Sequence, residues 1–297
     1  MGADVAVVFL RAGCAVSVIE TRQQAHAGIM AGIGANLACL DKADSGTRLT
    51  IAQRLEEVDW AHIDLVVECV PENLDIKREL FRRLDDLVSD SAILASNSSS
   101  FPISAIAGGC ATAARMLGLH FFMPAHIVPL VEVVQSSSAS DDAAAALAAF
   151  MRRCGCVPIR VRKDIPGFVA NRMQHALARE AFSLIQDGIA SPEDVDAAVR
   201  FGFGFRYLAA GPVMQKEHAG LDVHVSAAAT IYPSLSNIAA PPAVLADKKK
   251  EGKLGFKSGQ GFYSWDATSI EAEKQRYNRL LRAGMALLAE ELPSIDP

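Results

Sequence analysis

The sequence predicts a mainly parallel α/β domain followed by an all-α domain. Three observations carry that prediction: short β-branched runs alternate with helical stretches through the first half, Pro166-Gly167 punctuates the chain, and helical patterning dominates after it. In order, 1–12 has helical character and Ala15–Ile19 (AVSVI) is a short strand ending at Glu20. Helical patterning resumes over 23–40 and the 43–48 stretch is polar. Leu49–Ile51 is a weak strand candidate before a short helix over 53–58. Leu65–Cys69 (LVVEC) is a buried strand, and 74–88 a charged amphipathic helix. Ala92–Ala95 leads into the polar loop Ser96–Ser100, and Met116–Phe121 and Val131–Val134 are further apolar runs. An Ala-rich helix over 141–151 then precedes a last strand at Val157–Val161. Beyond Phe168 helices are expected at 169–187, 191–200 and 213–232, with a glycine-rich turn before the third. Ser191-Pro192-Glu193-Asp194 combines a serine cap, proline at the first helical position and acids in the first turn. These breaks divide the chain into an α/β domain, 1–164, and a helical domain, 165–297.

Hydrophobic residues make up 51% of the chain and charged residues 21%, the balance of a globular protein with a substantial core. The net charge of −5 argues against nucleic acid or an anionic membrane as partner. No apolar run approaches the ~20 residues that span a bilayer, and the N-terminus lacks the pattern of a signal peptide. Six scattered cysteines without paired CxxC spacing suggest reduced thiols, a cytoplasmic location and no metal site.

Three segments carry candidate chemistry. The Ser96-Asn97-Ser98-Ser99-Ser100 loop follows a strand, where α/β folds place ligands, although read alone it is also an ordinary polar turn. His120 sits in an apolar stretch, as many core histidines do. Glu132, inside LVEVV, is harder to accommodate, because a buried unpaired carboxylate is costly. It needs a partner, and His120 is the obvious one: a carboxylate that orients an imidazole makes its other nitrogen a proton acceptor near neutral pH. Near the start, a helix, the AVSVI strand and Glu20 match the later parts of a dinucleotide-binding unit, whose acid holds the ribose hydroxyls.

Taken together, VVECVPENLDIKRELF, ASNSSSFPISAIA, GLHFFMPAHIVPLVEVV, KDIPGFVANRM and GKLGFKSGQGFYSW resemble the 3-hydroxyacyl-CoA dehydrogenase family, in that family's order and over nearly the whole chain. The resemblance implies a Rossmann-type domain followed by a helical domain that mediates homodimerisation. It implies His120 as the base, Glu132 as its orienting partner, Ser99 as a hydrogen-bond partner of the substrate oxygen and Asn171 as a support. It also implies Gly2, Glu20, Glu72, Lys77 and Asn97 around NAD, and L-3-hydroxyacyl-CoA as the substrate oxidised to the 3-oxoacyl-CoA. Without the resemblance, Glu72 and Lys77 are surface charges and Asn171 a polar residue at a helix start.

Two departures from the family pattern bear on function. The first strand and most of the glycine turn are missing, with only Gly2 left to represent the turn. Either a start codon is placed too late or the chain is truncated; the intact motifs downstream favour the former, and the chain as it stands is expected to bind NAD weakly. The second departure is Met123, where the family has Asn in HFFNP, with His126 three residues on as a replacement polar contact or a plain loop residue. This opens an alternative, an NAD-dependent dehydrogenase of a small non-CoA hydroxy acid or alcohol. The RYLAAGP and SLSN segments resemble that branch more closely, while Lys248–Lys250 and Lys253 suit CoA phosphates or a solvated helix face. A dehydrogenase with a lysine base fits the His120 and Glu132 context poorly. A non-catalytic, crystallin-like protein is the remaining alternative.

Overall fold

The computed structural model describes residues 1–40 and 43–296. The chain forms two compact units, Met1–Arg172 with the tail from Ala289, and Met173–Leu288.

The first unit begins with helix α1 (Gly2–Arg11), strand β1 (Val16–Ile19), helix α2 (His26–Ala38) and strand β2 (Leu49–Ala52). It continues through β3 (Leu65–Glu68), α3 (Leu74–Asp85), β4 (Ile93–Ser96), the short α4 (Ile103–Ile106), β5 (Met116–Phe121), β6 (Leu130–Gln135), α5 (Asp141–Arg153) and β7 (Val157–Val161). The 23–40 stretch opens with a 3-10 turn before α2, and 53–58 holds only the 3-10 turn Leu55–Glu57. Side-chain caps mark the starts that the sequence suggests: Asn73 accepts the amides of Asp75 and Ile76, and Ser140 accepts that of Ala143.

The strands form two sheets. β1 and β2 pair in parallel; β3-β4-β5-β6-β7 form a second sheet, parallel except for the antiparallel β5–β6 ladder. A doubly wound dinucleotide fold places its first strand between those corresponding to β1 and β3. No strand of the described residues occupies that slot, so the sheet lies in two pieces. The consequence shows in burial: every residue of β5 is buried, whereas β1 and most of β3 are only partly so. Helix α1 links the pieces. Val5, Val8 and Phe9 pack with Leu117, Leu119, Phe121 and Val133 of the larger sheet, while Ala6, Val7 and Leu10 pack with Ile33 and Leu37 of α2. That double duty explains why GADVAVVFLR is apolar on nearly all faces. Burying each of Val8, Leu10 and Leu37 completely stabilises the fold by about 1.5–3 kcal/mol.

The second unit is helical. It continues α6 (Ala170–Gln186) and adds α7 (Pro192–Ala197), the single turn α8 (Gly204–Arg206), α9 (Pro212–Ala219), α10 (Leu221–Ile231), α11 (Ala243–Lys250) and the long α12 (Ala267–Leu287). Ser191 caps α7 by accepting the Asp194 amide, as its motif suggests. The helix expected over 191–200 stops early, at Ala197, and gives way to a π-type turn kinked at Gly202. The single helix expected over 213–232 is two helices instead. Gly220 separates them at φ 92°, a backbone conformation open to glycine and strained for other residues.

By contact the first unit runs on to Arg172, beyond the break at 164/165. Residues 165–172 belong with the α/β unit, because Glu132 of β6 holds the start of α6 through backbone amides. The tail from Ala289 belongs there as well: the Asp296 amide donates to the Arg153 carbonyl at 3.0 Å, and Ile295 bridges to Cys154.

Candidate active site

The site is built on the β5–β6 ladder. Antiparallel register sets His120 directly opposite Glu132, and His120 Nδ1 lies 2.7 Å from Glu132 Oε2. Both side chains are almost wholly buried. The other carboxylate oxygen, Oε1, accepts the amides of Val169 and Ala170 at 3.0 and 2.9 Å. Gly167 (φ 75°) and Phe168 (φ 49°) form the turn that aims those amides. A left-handed phenylalanine costs about 1–3 kcal/mol; its fully buried ring stands 5.6 Å from the imidazole, with Phe122 at 4.7 Å.

Burial alone would raise the Glu132 carboxyl, but the His120 hydrogen bond and the two amides outweigh it and hold the group below the usual carboxylate range. Glu132 is therefore ionised at neutral pH and accepts from Nδ1–H. That tautomer leaves Nε2 as the basic nitrogen. Among apolar rings, an imidazole so oriented can take a proton from a hydroxyl and stabilise the resulting positive charge through Glu132.

The serine loop is fixed from below by a buried ion cluster. Lys77, 1% exposed, donates to both oxygens of Glu68 at 2.8 and 3.0 Å and lies 3.2 Å from Glu72 Oε2. Glu68 also accepts from Ser96 Oγ and the Val70 amide, each at 2.6 Å. Glu72 Oε1 accepts from Ser98 Oγ at 2.6 Å and from the Ser100 amide at 2.9 Å. Ser99 is thereby held between two anchored neighbours. Asn97 Oδ1 accepts the Phe121 amide at 2.9 Å, which ties the loop to the strand carrying His120. Lys77 is not a surface charge but buried, whereas Glu72 stays exposed; both brace this loop. Glu68 was not singled out from sequence, although a glutamate ending an apolar strand nine residues before a lysine is the signal that could have found it; Ser96 and Ser98 lie in the serine loop that was.

Asn171, in the first turn of α6, is half-buried two residues after Val169. Glu20 ends β1, and Arg22 meets it as a two-pronged fork at 2.9 and 3.1 Å. The Arg22 hydrogen bonds hold the Glu20 carboxyl down at about 2. Gly2 opens α1 beside Cys69, which follows β3. His126 is buried and pairs with Asp4 of α1 at 3.1 Å, so it is engaged by the fold, whereas Met123 is 66% exposed.

These positions fit a dinucleotide at the carboxyl ends of the strands. Glu20 would hold ribose hydroxyls, the positive end of α1 at Gly2 would favour the cofactor's phosphates, and Asn97 ties the loop carrying Ser99 to the strand of His120. Of the glycine turn only Gly2 is present. No group of three or more His, Cys, Asp or Glu side chains able to hold a metal ion occurs among the described residues. None of their helices is long and apolar enough to cross a membrane.

Comparisons with known proteins show the family and the fold. The model of the 3-hydroxyacyl-CoA dehydrogenase NAD-binding domain matches residues 1–165, and that of the C-terminal domain matches residues 167–265. The chain is 35% identical over 216 residues to the 5-formyl-3-hydroxy-2-methylpyridine 4-carboxylate 5-dehydrogenase of Mesorhizobium japonicum, covering 72% of this chain and 70% of that protein. A solved structure of a dehydrogenase for that pyridine, described as an NAD+-dependent dismutase, superposes with a TM-score of 0.92 at 30% identity, over 97% of this chain and 95% of the other. The (S)-3-hydroxybutyryl-CoA dehydrogenase of Ralstonia eutropha gives a TM-score of 0.72 at 29% identity, over 90% of this chain and 95% of the other. The chain belongs to the 3-hydroxyacyl-CoA dehydrogenase family of NAD-dependent oxidoreductases.

Proposed function

We propose that this dehydrogenase acts on a small substrate without coenzyme A, a hydroxymethyl- or formyl-bearing aromatic acid or a free hydroxy acid. The observation that carries this reading is the TM-score of 0.92 with the pyridine-carboxylate dehydrogenase, against 0.72 with a 3-hydroxybutyryl-CoA dehydrogenase. Two features of the chain support it. Met123 stands where the family pattern has Asn, a departure that bears on substrate, and its side chain is exposed beside the His120 strand. Three of the four lysines that suit CoA phosphates have local partners: Lys250 pairs with Asp247, Lys253 with Glu251, and Lys248 lies over the Phe262 ring.

In this mechanism the substrate hydroxyl gives its proton to His120 Nε2, and Glu132 stabilises the imidazolium. NAD, when bound, accepts the hydride. Ser99 hydrogen-bonds the reacting oxygen and Asn171 supports that contact from α6. Glu20, Asn97 and the α1 terminus at Gly2 position the cofactor, while Glu72 and Lys77 hold the Ser99 loop in place. An aldehyde enters the same scheme as its hydrate, whose geminal hydroxyl is deprotonated like that of an alcohol. The dimer expected from the resemblance has physical support: no helix lying wholly within 173–288 has a fully buried residue, and Phe201, Phe205, Val213 and Val225 are each at least 67% exposed.

The acyl-CoA reading keeps its footing in the family itself. The two separate in one assay, NAD reduction with pyridine aldehydes, pyridine methanols and free 3-hydroxy acids, beside 3-hydroxybutyryl-CoA. Turnover of the free acids or pyridines without response to the thioester supports the proposal. Preference for the thioester sinks it.

A further inference from the structure

The stacked rings of Phe9 in α1 and Phe150 in α5, 5.9 Å apart and within 10° of parallel, set two helix ends side by side. Each end then closes on a cysteine. The Cys14 amide donates back to the Phe9 carbonyl, and the Cys154 amide to the Phe150 carbonyl, both at 3.1 Å. Cys14 packs against the core cluster that contains Cys154 and Cys156. Cys14 is partly exposed and Cys154 buried, so within that packed cluster one thiol meets solvent and the other does not.

Arginines surround the pair. Arg11 reaches the Cys154 carbonyl at 3.4 Å, Arg48 donates to the Gly13 carbonyl, and Arg153 lies over the Phe150 ring at 5.7 Å. The dehydrogenase mechanism uses none of these residues. A partly exposed thiol with cations nearby and a buried thiol in the same packed cluster is the arrangement of a reactive and a resolving cysteine.

We propose that Cys14 and Cys154 form a peroxide-responsive thiol pair that closes to a disulfide. The Cys14 thiolate attacks one oxygen of hydrogen peroxide; the O–O bond breaks, the sulfur becomes a sulfenic acid, and the departing hydroxide leaves as water with the proton first lost by the thiol. The Cys154 sulfur then attacks the sulfenyl sulfur. The S–S bond forms, the S–OH bond breaks, and the second hydroxide leaves as water with the Cys154 proton. Two thiols are oxidised by two electrons, and one peroxide is reduced to two waters. The cross-link fastens the end of α1 to the end of α5.

Side-chain titration is consistent with the order of the steps. The hydrogen bond from Cys154, and beyond it the charges of Arg48 and Arg153, bring the Cys14 thiol down to about 7 against the opposing effect of burial. The same bond, with burial, pushes Cys154 up, so it stays a thiol until a sulfenic acid forms beside it.

The test is peptide mapping of the whole chain after treatment with hydrogen peroxide, alkylation of remaining thiols and digestion without reductant. The expected result is a protein lighter by two hydrogens, with Cys14 and Cys154 peptides joined and released by reductant. In Cys154→Ser, Cys14 should stop at a sulfenic acid that dimedone captures, while Cys156→Ser should behave like the parent. A disulfide joining Cys156 to either residue, or a Cys14 that peroxide leaves unmodified, overturns the proposal. The parent chain alone decides that point, so a variant that fails to fold does not affect it.

Discussion

Glu132 divides its carboxylate between two tasks, one oxygen on His120 Nδ1 and the other on the first amides of α6. The same side chain thus sets the imidazole tautomer and fixes the turn that carries Phe168 and Asn171. Glu132→Gln keeps the size but removes the charge and half of the accepting capacity. Turnover should fall by about 10²–10⁴-fold, the usual worth of general acid–base catalysis. Stability should fall by about 1–3 kcal/mol, since a buried amide would go unsatisfied. Steady-state kinetics beside urea denaturation check both, and a variant that loses activity without losing stability would detach the turn from the catalytic pair.

His120→Gln tests the base without removing the carboxylate. The glutamine amide can donate to Glu132, so the fold should be largely retained. Turnover should drop by orders of magnitude, with NADH affinity close to that of the parent by calorimetry. Retained turnover would mean that a group other than His120 takes the proton, whereas no turnover in parent or variant would favour the non-catalytic alternative.

Lys77 is a structural cation as much as a site residue. Its ammonium faces Glu68 and Glu72 in a place where it is 1% exposed. Lys77→Met leaves Glu68 buried without its countercharge, and breaking a buried pair in this way costs about 3–5 kcal/mol. Adding Glu68→Leu should recover much of that loss, because the stranded charge goes with it. A double-mutant cycle by denaturation measures the recovery; additive losses would contradict the cluster as described.

Much of this site was legible in the sequence because its elements are local. A carboxylate inside LVEVV demanded a partner, and antiparallel pairing of two adjacent strands supplied His120 in register. Glu68 was less legible, since an acid at a strand end has many uses and its bonds to Lys77 and Ser96 come from other elements. The break at Gly220 was hidden for a different reason: apolar periodicity on either side of a glycine looks continuous until its backbone angle is known. The divided sheet follows from the absence, among the described residues, of a strand between β1 and β3. That Val5–Leu10 would be buried on both sides and tie the pieces together was not foreseeable, because burial of that helix depends on two distant packing partners.

Acid should weaken the fold in a defined window. Glu132 is held below the usual carboxylate range by His120 and two amides against the opposing effect of burial, and Asp4 by its hydrogen bond to His126. A group with a lowered folded pKa contributes stability above its unfolded value, about 4 for these acids, and loses it as pH falls through the folded value. Melting temperature should therefore hold steady in these two contributions above about pH 5 and decline below about pH 4. Glu132→Gln should flatten part of that decline; an unchanged slope would assign acid sensitivity to other carboxylates.

On the proposed reading, cofactor choice rests on Glu20 and the arginine that grips it. An ionised carboxylate at the end of β1 accepts ribose hydroxyls and repels a 2′-phosphate. Arg22 is already committed to Glu20 through its side chain and its own amide. Glu20→Ala removes the acceptor and releases the guanidinium at the same point. Loss of hydrogen bonds to a charged group is worth about 1.5–3 kcal/mol, so KM for NAD should rise roughly tenfold or more. The freed Arg22 can meet a 2′-phosphate, and kcat/KM with NADP should rise relative to NAD. Glu20→Ala/Arg22→Ala should lose that gain while keeping the weak NAD binding. If the double variant favours NADP as strongly as the single one, a cation other than Arg22 recognises the phosphate.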